Sequence, residues 1–113
     1  MSEPTPDELR ELAGLLGWQV TLELFGHVES YVIWLEERYG VDIDELPKPT
    51  GIGHIIDAMI KRGFSPRIYH KHGLGVGWDH QKFETDHALV LNSYDIIPTL
   101  AKTALQALRS TKP

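Results

Sequence analysis

The clearest indication of the fold class comes from Arg67-Ile-Tyr-His-Lys-His-Gly-Leu-Gly-Val-Gly-Trp-Asp-His80. Within it, residues 67–72 and 76–80 flank Gly73-Leu-Gly75. This arrangement is typical of two strands joined in a hairpin. A third strand is predicted for residues 87–91, so this part of the chain indicates an antiparallel sheet.

Helices are predicted on both sides of this sheet, and the first has clear signals at each end. Thr5 can cap it, Glu8 completes a capping box, and Pro6 suits the first helical position. The apolar residues that follow have helical spacing. Gly17 stands where a left-handed stop is expected.

Two more amphipathic helices are predicted further along the chain. One spans about residues 51–62, with Thr50 as its cap. The last carries a long apolar stripe, and Asp95 is its expected cap. That cap places Pro98 at the third helical position, where a missing N–H has no intrahelical partner to lose.

The middle of the chain contains one clear strand and one ambiguous segment. Apolar and polar residues alternate strictly over residues 18–24, which indicates a half-buried strand broken by Gly26-His27. Residues 28–39 have apolar side chains at helical spacing, but Tyr31-Val-Ile-Trp-Leu35 would also make a good buried strand. Helix is the preferred interpretation, with residues 41–49 as a connector.

Together these elements predict one mixed α/β (α+β) domain that spans residues 1–113. Burying each helix stripe on a sheet face gives a layered α/β/α sandwich. Its sheet is expected to be small and mostly antiparallel, and to include the C-terminal hairpin. The termini, residues 1–4 and 110–113, are expected to fray.

Composition places the protein among soluble globular chains. Of its 113 residues, 42% are hydrophobic and 24% are charged, which is ordinary for a folded domain. No apolar run approaches the length of a spanning helix, and the first residues lack the pattern of a secretory signal. Cysteine is absent, which excludes disulfides and thiolate chemistry and fits a reducing compartment. We therefore expect a cytoplasmic protein with no membrane partner.

Charge is distributed unevenly along the chain. The net charge of −5 argues against nucleic acid as the main partner. Acids dominate residues 23–45, whereas residues 61–71 contain bases and no acid. Opposite patches could steer a partner or a second copy of the chain, although two solvated faces are the simpler explanation. The bases are Lys61, Arg62, Arg67 and Lys71.

Histidines crowd into the predicted hairpin and offer one candidate for chemistry. His70 and His72 are two residues apart and share a face of one strand, and His80 on the next strand could oppose them. Three imidazoles on one face could bind zinc or another transition metal. Exposed polar positions on a solvated strand face are the simpler interpretation. No cofactor is therefore predicted, with a metal at these histidines as the alternative.

Other motifs give no catalytic signature, and no catalytic residue is predicted. Gly73-Leu-Gly-Val-Gly77 lies between strands, and Trp78 stands where a dinucleotide loop would need another glycine. The serines have no nucleophile-elbow motif, and the acids of residues 42–45 do not form a calcium loop. Trp78 is expected in the core. The alternative places it on a contact surface together with the bases named above.

The C-terminal two thirds of the chain resembles a family of small phage and prophage proteins, the phage α-β-α sandwich domain. The similarity begins at Pro49-Thr-Gly-Ile-Gly-His-Ile-Ile-Asp-Ala-Met-Ile-Lys-Arg-Gly63 and continues through a hairpin with Gly77-Trp78. It ends at the alanine-rich helix Asp95-Ile-Ile-Pro-Thr-Leu-Ala-Lys-Thr-Ala-Leu-Gln-Ala-Leu108, and the opening helix with Gly17-Trp18 is also similar. Gly51-Ile-Gly53 departs from the family's usual helix start. The resemblance implies an α/β/α layered fold and a phage-related origin, but no reaction and no site residues.

The first functional hypothesis is a non-enzymatic phage- or prophage-type accessory protein that works by protein–protein contacts, including self-association. Uneven charge, a short sheet with an open edge and the lack of a reactive constellation favour it. The alternative is a small metal- or ligand-binding protein, which could be a hydrolase, built on the hairpin histidines. A third hypothesis is a regulator that contacts nucleic acid through the bases of residues 61–71, which the overall acidity disfavours.

Overall fold

The described part of the chain folds as three helices and two separate antiparallel sheets. It comprises residues 3–70, 73–83, 87–90 and 92–111 of a computed structural model. The helices are α1 (Pro6–Leu15), α2 (Ile52–Lys61) and α3 (Ile96–Ser110). The strands are β1 (Gln19–Phe25), β2 (Val28–Glu36), β3 (Tyr39–Asp42), β4 (Phe64–His70), β5 (Leu74–His80) and β6 (His87–Val90). Strands β1, β2 and β3 form sheet A, and strands β4, β5 and β6 form sheet B.

The predicted capping box of α1 is confirmed. The Thr5 hydroxyl accepts a hydrogen bond from Glu8 N at 3.2 Å, and the Glu8 carboxylate accepts one from Thr5 N at 2.9 Å. Gly17, just after the helix, has a φ of +80° as its predicted role as a stop requires. The sequence signals at both ends of α1 therefore predicted the helix correctly.

Helix α2 forms where it is predicted, but its expected cap is wrong. Gly51 occupies the cap position, and Thr50 instead donates its hydroxyl hydrogen to the Glu45 carboxylate. The buried residues of α2 are Ile52, Ile55 and Met59. Burial of this face, rather than a side-chain capping bond, is what stabilises α2 in the fold.

Helix α3 begins at the predicted place, with Asp95 before it and Pro98 at its third position. However, the Asp95 side chain makes no capping bond. A 3₁₀ turn, Ser93–Asp95, leads into the helix, and Asn92 caps that turn by accepting a hydrogen bond from Tyr94 N at 2.9 Å. The side-chain cap thus acts one turn earlier than the sequence suggested.

The helix preferred for residues 28–39 is wrong, because Val28–Glu36 form strand β2. Gly26, with a φ of +66°, occupies the first central position of a two-residue turn, as in a type II′ hairpin. This turn places β2 antiparallel to β1, where Ile33 lies opposite Val20 and is fully buried. Backbone pairing along all of β1 and burial of β-branched residues outweigh the helical spacing.

The predicted connector 41–49 begins inside strand β3, which pairs antiparallel with β2. A register shift between Trp34 and Glu36 marks a bulge in β2. A 3₁₀ turn follows β3, and Ile43 within it is buried. Sheet A therefore contains three strands where the sequence indicated one with clarity.

Sheet B confirms the predicted C-terminal hairpin and extends it. Strand β4 begins at Phe64, earlier than predicted, and contains Pro66. Proline is tolerated because β4 is an edge strand, with one side of its backbone unpaired in the sheet. Gly73, with a φ of +122°, lies in the turn, and β5 already begins at Leu74. Strand β6 pairs with the other side of β5, and residue 91 of the predicted third strand lies outside the described residues.

Gly75 and Gly77 lie inside β5, where the absence of side chains lets two rings cross the strand. A Cβ atom on Gly75 would lie 2.2 Å from the Tyr69 ring, and one on Gly77 would lie 2.0 Å from the His87 ring. The centroids of the two rings are 5.4 Å apart. Tyr69 and His87 therefore pack on the outer face of sheet B, and the glycine spacing serves this packing.

The core is centred on Trp78 of β5, which is fully buried. Its Nε1 donates a hydrogen bond of 3.0 Å to the carbonyl oxygen of Leu100 in α3. Ala101 and Ala104 are also fully buried, and their small side chains let α3 lie close to the sheet. The core interpretation of Trp78 is confirmed, and its alternative placement on a contact surface is wrong.

Helix α1 packs against α3, and two ion pairs join them, Glu8 with Lys102 at 3.9 Å and Glu11 with Arg109. The Arg109 guanidinium donates from Nε and Nη2 to the Glu11 carboxylate, both at 2.6 Å. This hydrogen bonding raises the pKa of Arg109 above its ordinary value. One hydrophobic core draws residues from all three helices and both sheets, so the fold is a single mixed α+β domain. It differs from the predicted sandwich in having two small sheets instead of one.

The ends of the described chain are well packed up to the last few residues. Pro4 is buried, and α3 continues to Ser110. Residues 1–2 and 112–113, within the ends predicted to fray, lie outside the described residues. Of the helices that are described, none is long and apolar enough to cross a membrane.

We expect Gly77→Ala to lower the free energy of unfolding by about 1–3 kcal/mol, because the new methyl group would meet the His87 ring. Gly53→Ala in α2 is the matched control, since nothing lies within 4 Å of a Cβ atom there. That change should stabilise the protein by about 0.5–1 kcal/mol. Urea unfolding measures both. Adding His87→Ala should remove most of the cost of Gly77→Ala, and a cost that stays unchanged without the ring would contradict this packing.

Candidate functional site

The predicted metal-binding cluster does not come together from the residues that the structure describes. In the register of β4 and β5, His70 pairs with Leu74 and His80 pairs with Phe64. These histidines lie at opposite ends of the hairpin, about 20 Å apart at roughly 3.3 Å per residue. His72 lies outside the described residues. No three potential metal ligands converge anywhere in the described ranges, and in this register His80 does not lie opposite His70.

His80 instead joins the end of α2 to the end of β5. Its Nδ1 accepts a hydrogen bond of 3.0 Å from Lys82 N, and its Nε2 lies 3.2 Å from the carbonyl oxygen of Arg62. Since Nδ1 accepts, we assign the ring hydrogen to Nε2, which donates to that carbonyl. The ring centroid lies 4.7 Å from that of Phe64 and 4.8 Å from that of Phe83. A metal at His80 would have to break one of these hydrogen bonds, so the residue has a structural role.

We expect His80→Ala to lower the free energy of unfolding by about 1–3 kcal/mol, because it removes two hydrogen bonds and ring packing. His70→Ala is the matched control, since His70 is exposed, and it should change stability by less than about 0.5 kcal/mol. Urea unfolding measures both. Thermal unfolding with added zinc tests the metal hypothesis directly. A zinc-induced rise in Tm that both substitutions abolish would contradict our assignment and restore a shared metal site.

The outer face of sheet B carries a polar cluster that sequence reasoning missed. His87 Nε2 lies 3.1 Å from Asp79 Oδ1, and Arg67 Nη1 lies 3.3 Å from Asp79 Oδ2. The Tyr69 ring packs beside His87 on the same face. Alternating glycines in β5, with aromatic residues on both neighbouring strands, are the signal that could have revealed it. Because the Asp79 carboxylate of β5 contacts Arg67 of β4 and His87 of β6, the cluster links the three strands of sheet B.

The bases predicted to form a contact surface are divided between two parts of the fold. Lys61 forms an ion pair along α2 with Asp57 at 3.0 Å. Arg62 reaches the end of α1, where its Nη2 donates to a backbone carbonyl at 3.3 Å. Arg67 belongs to the polar cluster on sheet B, and Lys71 lies outside the described residues. Trp78 is fully buried and takes no part in such a surface, whereas a contact surface formed by the bases stays a prediction.

Strand β1 presents an unpaired backbone edge, Gln19–Phe25, which we call the open edge. Among the described strands, β1 pairs with β2 alone. Phe25 and Val28 flank the two-residue turn and exchange hydrogen bonds with each other. From there, hydrogen-bonded and non-hydrogen-bonded residue pairs alternate along the two strands. The residues whose N–H and C=O groups point away from β2 are Val20, Leu22 and Leu24.

Apolar side chains accompany the unpaired groups of the open edge. Leu22 and Leu24 lie on the same face as buried Ile33, but they extend beyond the core and are 52% and 66% exposed. At the turn, Phe25 and Val28 are also exposed. The strand contains neither lysine nor proline, the residues that commonly protect an edge. The open edge can therefore offer both backbone pairing and apolar contact.

The other described strand edges are less suited to pairing. Strand β4 contains Pro66 and Arg67, which remove a donor and add a charge. Strands β3 and β6 have only four residues each. Within the described ranges, the open edge of β1 is thus the best candidate for a partner strand.

In comparisons with known proteins, the chain matches no protein-family model, no curated protein and no solved structure. The resemblance to the phage α-β-α sandwich domain stays a prediction.

Proposed function

We propose that this protein acts through protein–protein contacts, without catalysis of its own, and that its open edge binds a second copy of the chain. Two β1 strands would pair antiparallel and join two copies of sheet A into one continuous sheet. The observation that supports this is the seven-residue edge without lysine or proline on which Leu22 and Leu24 are exposed. An accessory role in a phage or prophage, which the family resemblance implies, belongs to the same proposal.

The sequence of β1 is compatible with itself across a twofold axis at Leu22. Leu22 would face Leu22 of the second copy, and Val20 would face Leu24 of the second copy. In this register the outward N–H and C=O groups of each pair meet directly. Apolar side chains from both strands then continue the core face of sheet A across the axis. Backbone pairing and apolar burial therefore favour the same isologous contact.

The polar face of β1 also fits this register. Thr21 would face Glu23 of the second copy, so no carboxylate would oppose another. A threonine hydroxyl can donate to that carboxylate, as Thr21 Oγ1 already does to Glu23 within one chain at 2.9 Å. A register centred on Glu23 would also bring outward backbone groups together, but it would place two carboxylates directly opposite each other. Charge repulsion thus favours the axis at Leu22 over the axis at Glu23.

We expect the wild-type protein to have about twice the single-chain mass of 12.8 kDa in light scattering and sedimentation. Leu22→Lys and Leu22→Glu should each give the single-chain mass, because like charges would meet at the axis. An equimolar mixture of these variants should recover the doubled mass, since opposite charges would then face each other. Val28→Lys is the matched control and should stay dimeric, because Val28 is 67% exposed on the same hairpin but lies on β2.

A wild-type protein that keeps the single-chain mass at its highest soluble concentration would overturn the proposal. So would a Leu22→Lys variant that stays dimeric, or a mixture of charged variants that remains monomeric. Added salt should weaken the mixed dimer more than the wild-type dimer. Screening acts on the ion pair at the axis of the mixed dimer, whereas leucines occupy that position in the wild type.

A further inference from the structure

A pocket of about 290 Å³ lies where α1, sheet A and α2 meet. Its lining includes the apolar side chains of Leu16 and Ala58 and the rings of Trp18 and Tyr39. The Tyr39 ring lies edge-on to the His54 ring, with their centroids 5.6 Å apart. A pocket at the small end of the range for small-molecule sites, with aromatic walls, suits a ligand that contains one ring.

The bulge in β2 shapes one side of this pocket. Leu35 and Glu36 both line it, although neighbours in a regular strand point to opposite faces. The register shift between Trp34 and Glu36 removes that alternation. A carboxylate and an apolar side chain are thereby brought to the same pocket.

Charge at the pocket is only partly neutralised within the chain. Lys61 and Asp57 pair with each other at 3.0 Å. Glu36 and Arg62 also line the pocket, but neither takes part in an ion pair with another described residue. The Arg62 guanidinium is held by its hydrogen bond to the Leu15 carbonyl, 3.3 Å away. It keeps further donors, which suit a carboxylate of a ligand.

We propose that this pocket binds a free aromatic amino acid. The ring of the ligand would lie between Trp18 and Tyr39, its carboxylate would accept hydrogen bonds from Arg62, and its ammonium group would donate to Glu36. His54 lines the same pocket and offers one further polar contact. A ligand with both charges satisfies both unpaired side chains, whereas a simple acid or amine would satisfy one. This site does not depend on the open edge or on dimer formation.

Three related compounds test the proposed recognition. They are L-phenylalanine, 3-phenylpropanoate, which lacks the ammonium group, and 2-phenylethylamine, which lacks the carboxylate. Binding is followed by the NMR signal of the Trp18 indole N–H, assigned with a Trp18→Phe variant. We expect a saturable shift with phenylalanine and about tenfold weaker binding of each truncated compound, because each loses one charge-assisted hydrogen bond.

Substitutions at the two charged residues should separate the two ends of the ligand. Arg62→Gln should weaken phenylalanine binding about tenfold but leave 2-phenylethylamine binding unchanged. Glu36→Gln should weaken phenylalanine binding to the same extent but leave 3-phenylpropanoate binding unchanged. In each case, unchanged binding of the truncated compound shows that the pocket is still folded. Arg67→Gln and Glu37→Gln, which lie outside the pocket lining, are the matched controls and should bind phenylalanine like wild type.

The proposal is overturned if phenylalanine gives no saturable shift of the Trp18 signal. It is also overturned if either truncated compound binds the wild-type protein as tightly as phenylalanine does. Equal effects of Glu36→Gln and Glu37→Gln would likewise exclude the assigned role of Glu36.

Discussion

The structure depends on the burial of Trp78 between β5 and α3. Its indole is the largest of the fully buried side chains, and its N–H is satisfied by the Leu100 carbonyl at 3.0 Å, so burial leaves no unpaired donor. Once Trp78 faces the core, alternation along β5 places Gly77 and Asp79 on the outer face. There the His87 ring can lie over Gly77 and contact Asp79 at 3.1 Å. One buried aromatic residue thus determines both faces of sheet B.

Elements whose signals are local could be predicted from the sequence, and elements that depend on pairing could not. The capping box of α1 joins Thr5 and Glu8, three residues apart, so its whole chemistry is visible in a short window. Residues 28–39 are different, because the turn at Gly26 and the neighbouring strand decide their conformation. Burial of Ile33 follows from pairing with β1, and helical spacing carries no information about that partner.

Register explains why site residues were harder to predict than elements. The hairpin itself was predicted, but its register was not, and His70 and His80, which could have faced each other in another register, lie at its two ends. Their positions follow from the turn at Gly73, where β5 begins one residue later. The pocket beside α2 could not be predicted at all, because a bulge in β2 brings Glu36 to it. A bulge changes the face of the sheet to which the following side chains point, and no clear sequence pattern indicates where it occurs.

The two sheets differ in what they leave available for contacts. Sheet B contributes Trp78 and several other residues to the core and fastens its outer face with its own side chains. Sheet A contributes mainly Val32 and Ile33 to the buried set, and its hairpin extends past the core with an unpaired strand. A second copy paired along β1 would extend sheet A on the side opposite β3, whereas the pocket includes Tyr39 at the start of β3. The proposed dimer contact is centred on Leu22 of β1, whereas the pocket meets sheet A beside Trp18, at Glu36 and at Tyr39. Dimer contact and ligand contact therefore use different residues of one sheet.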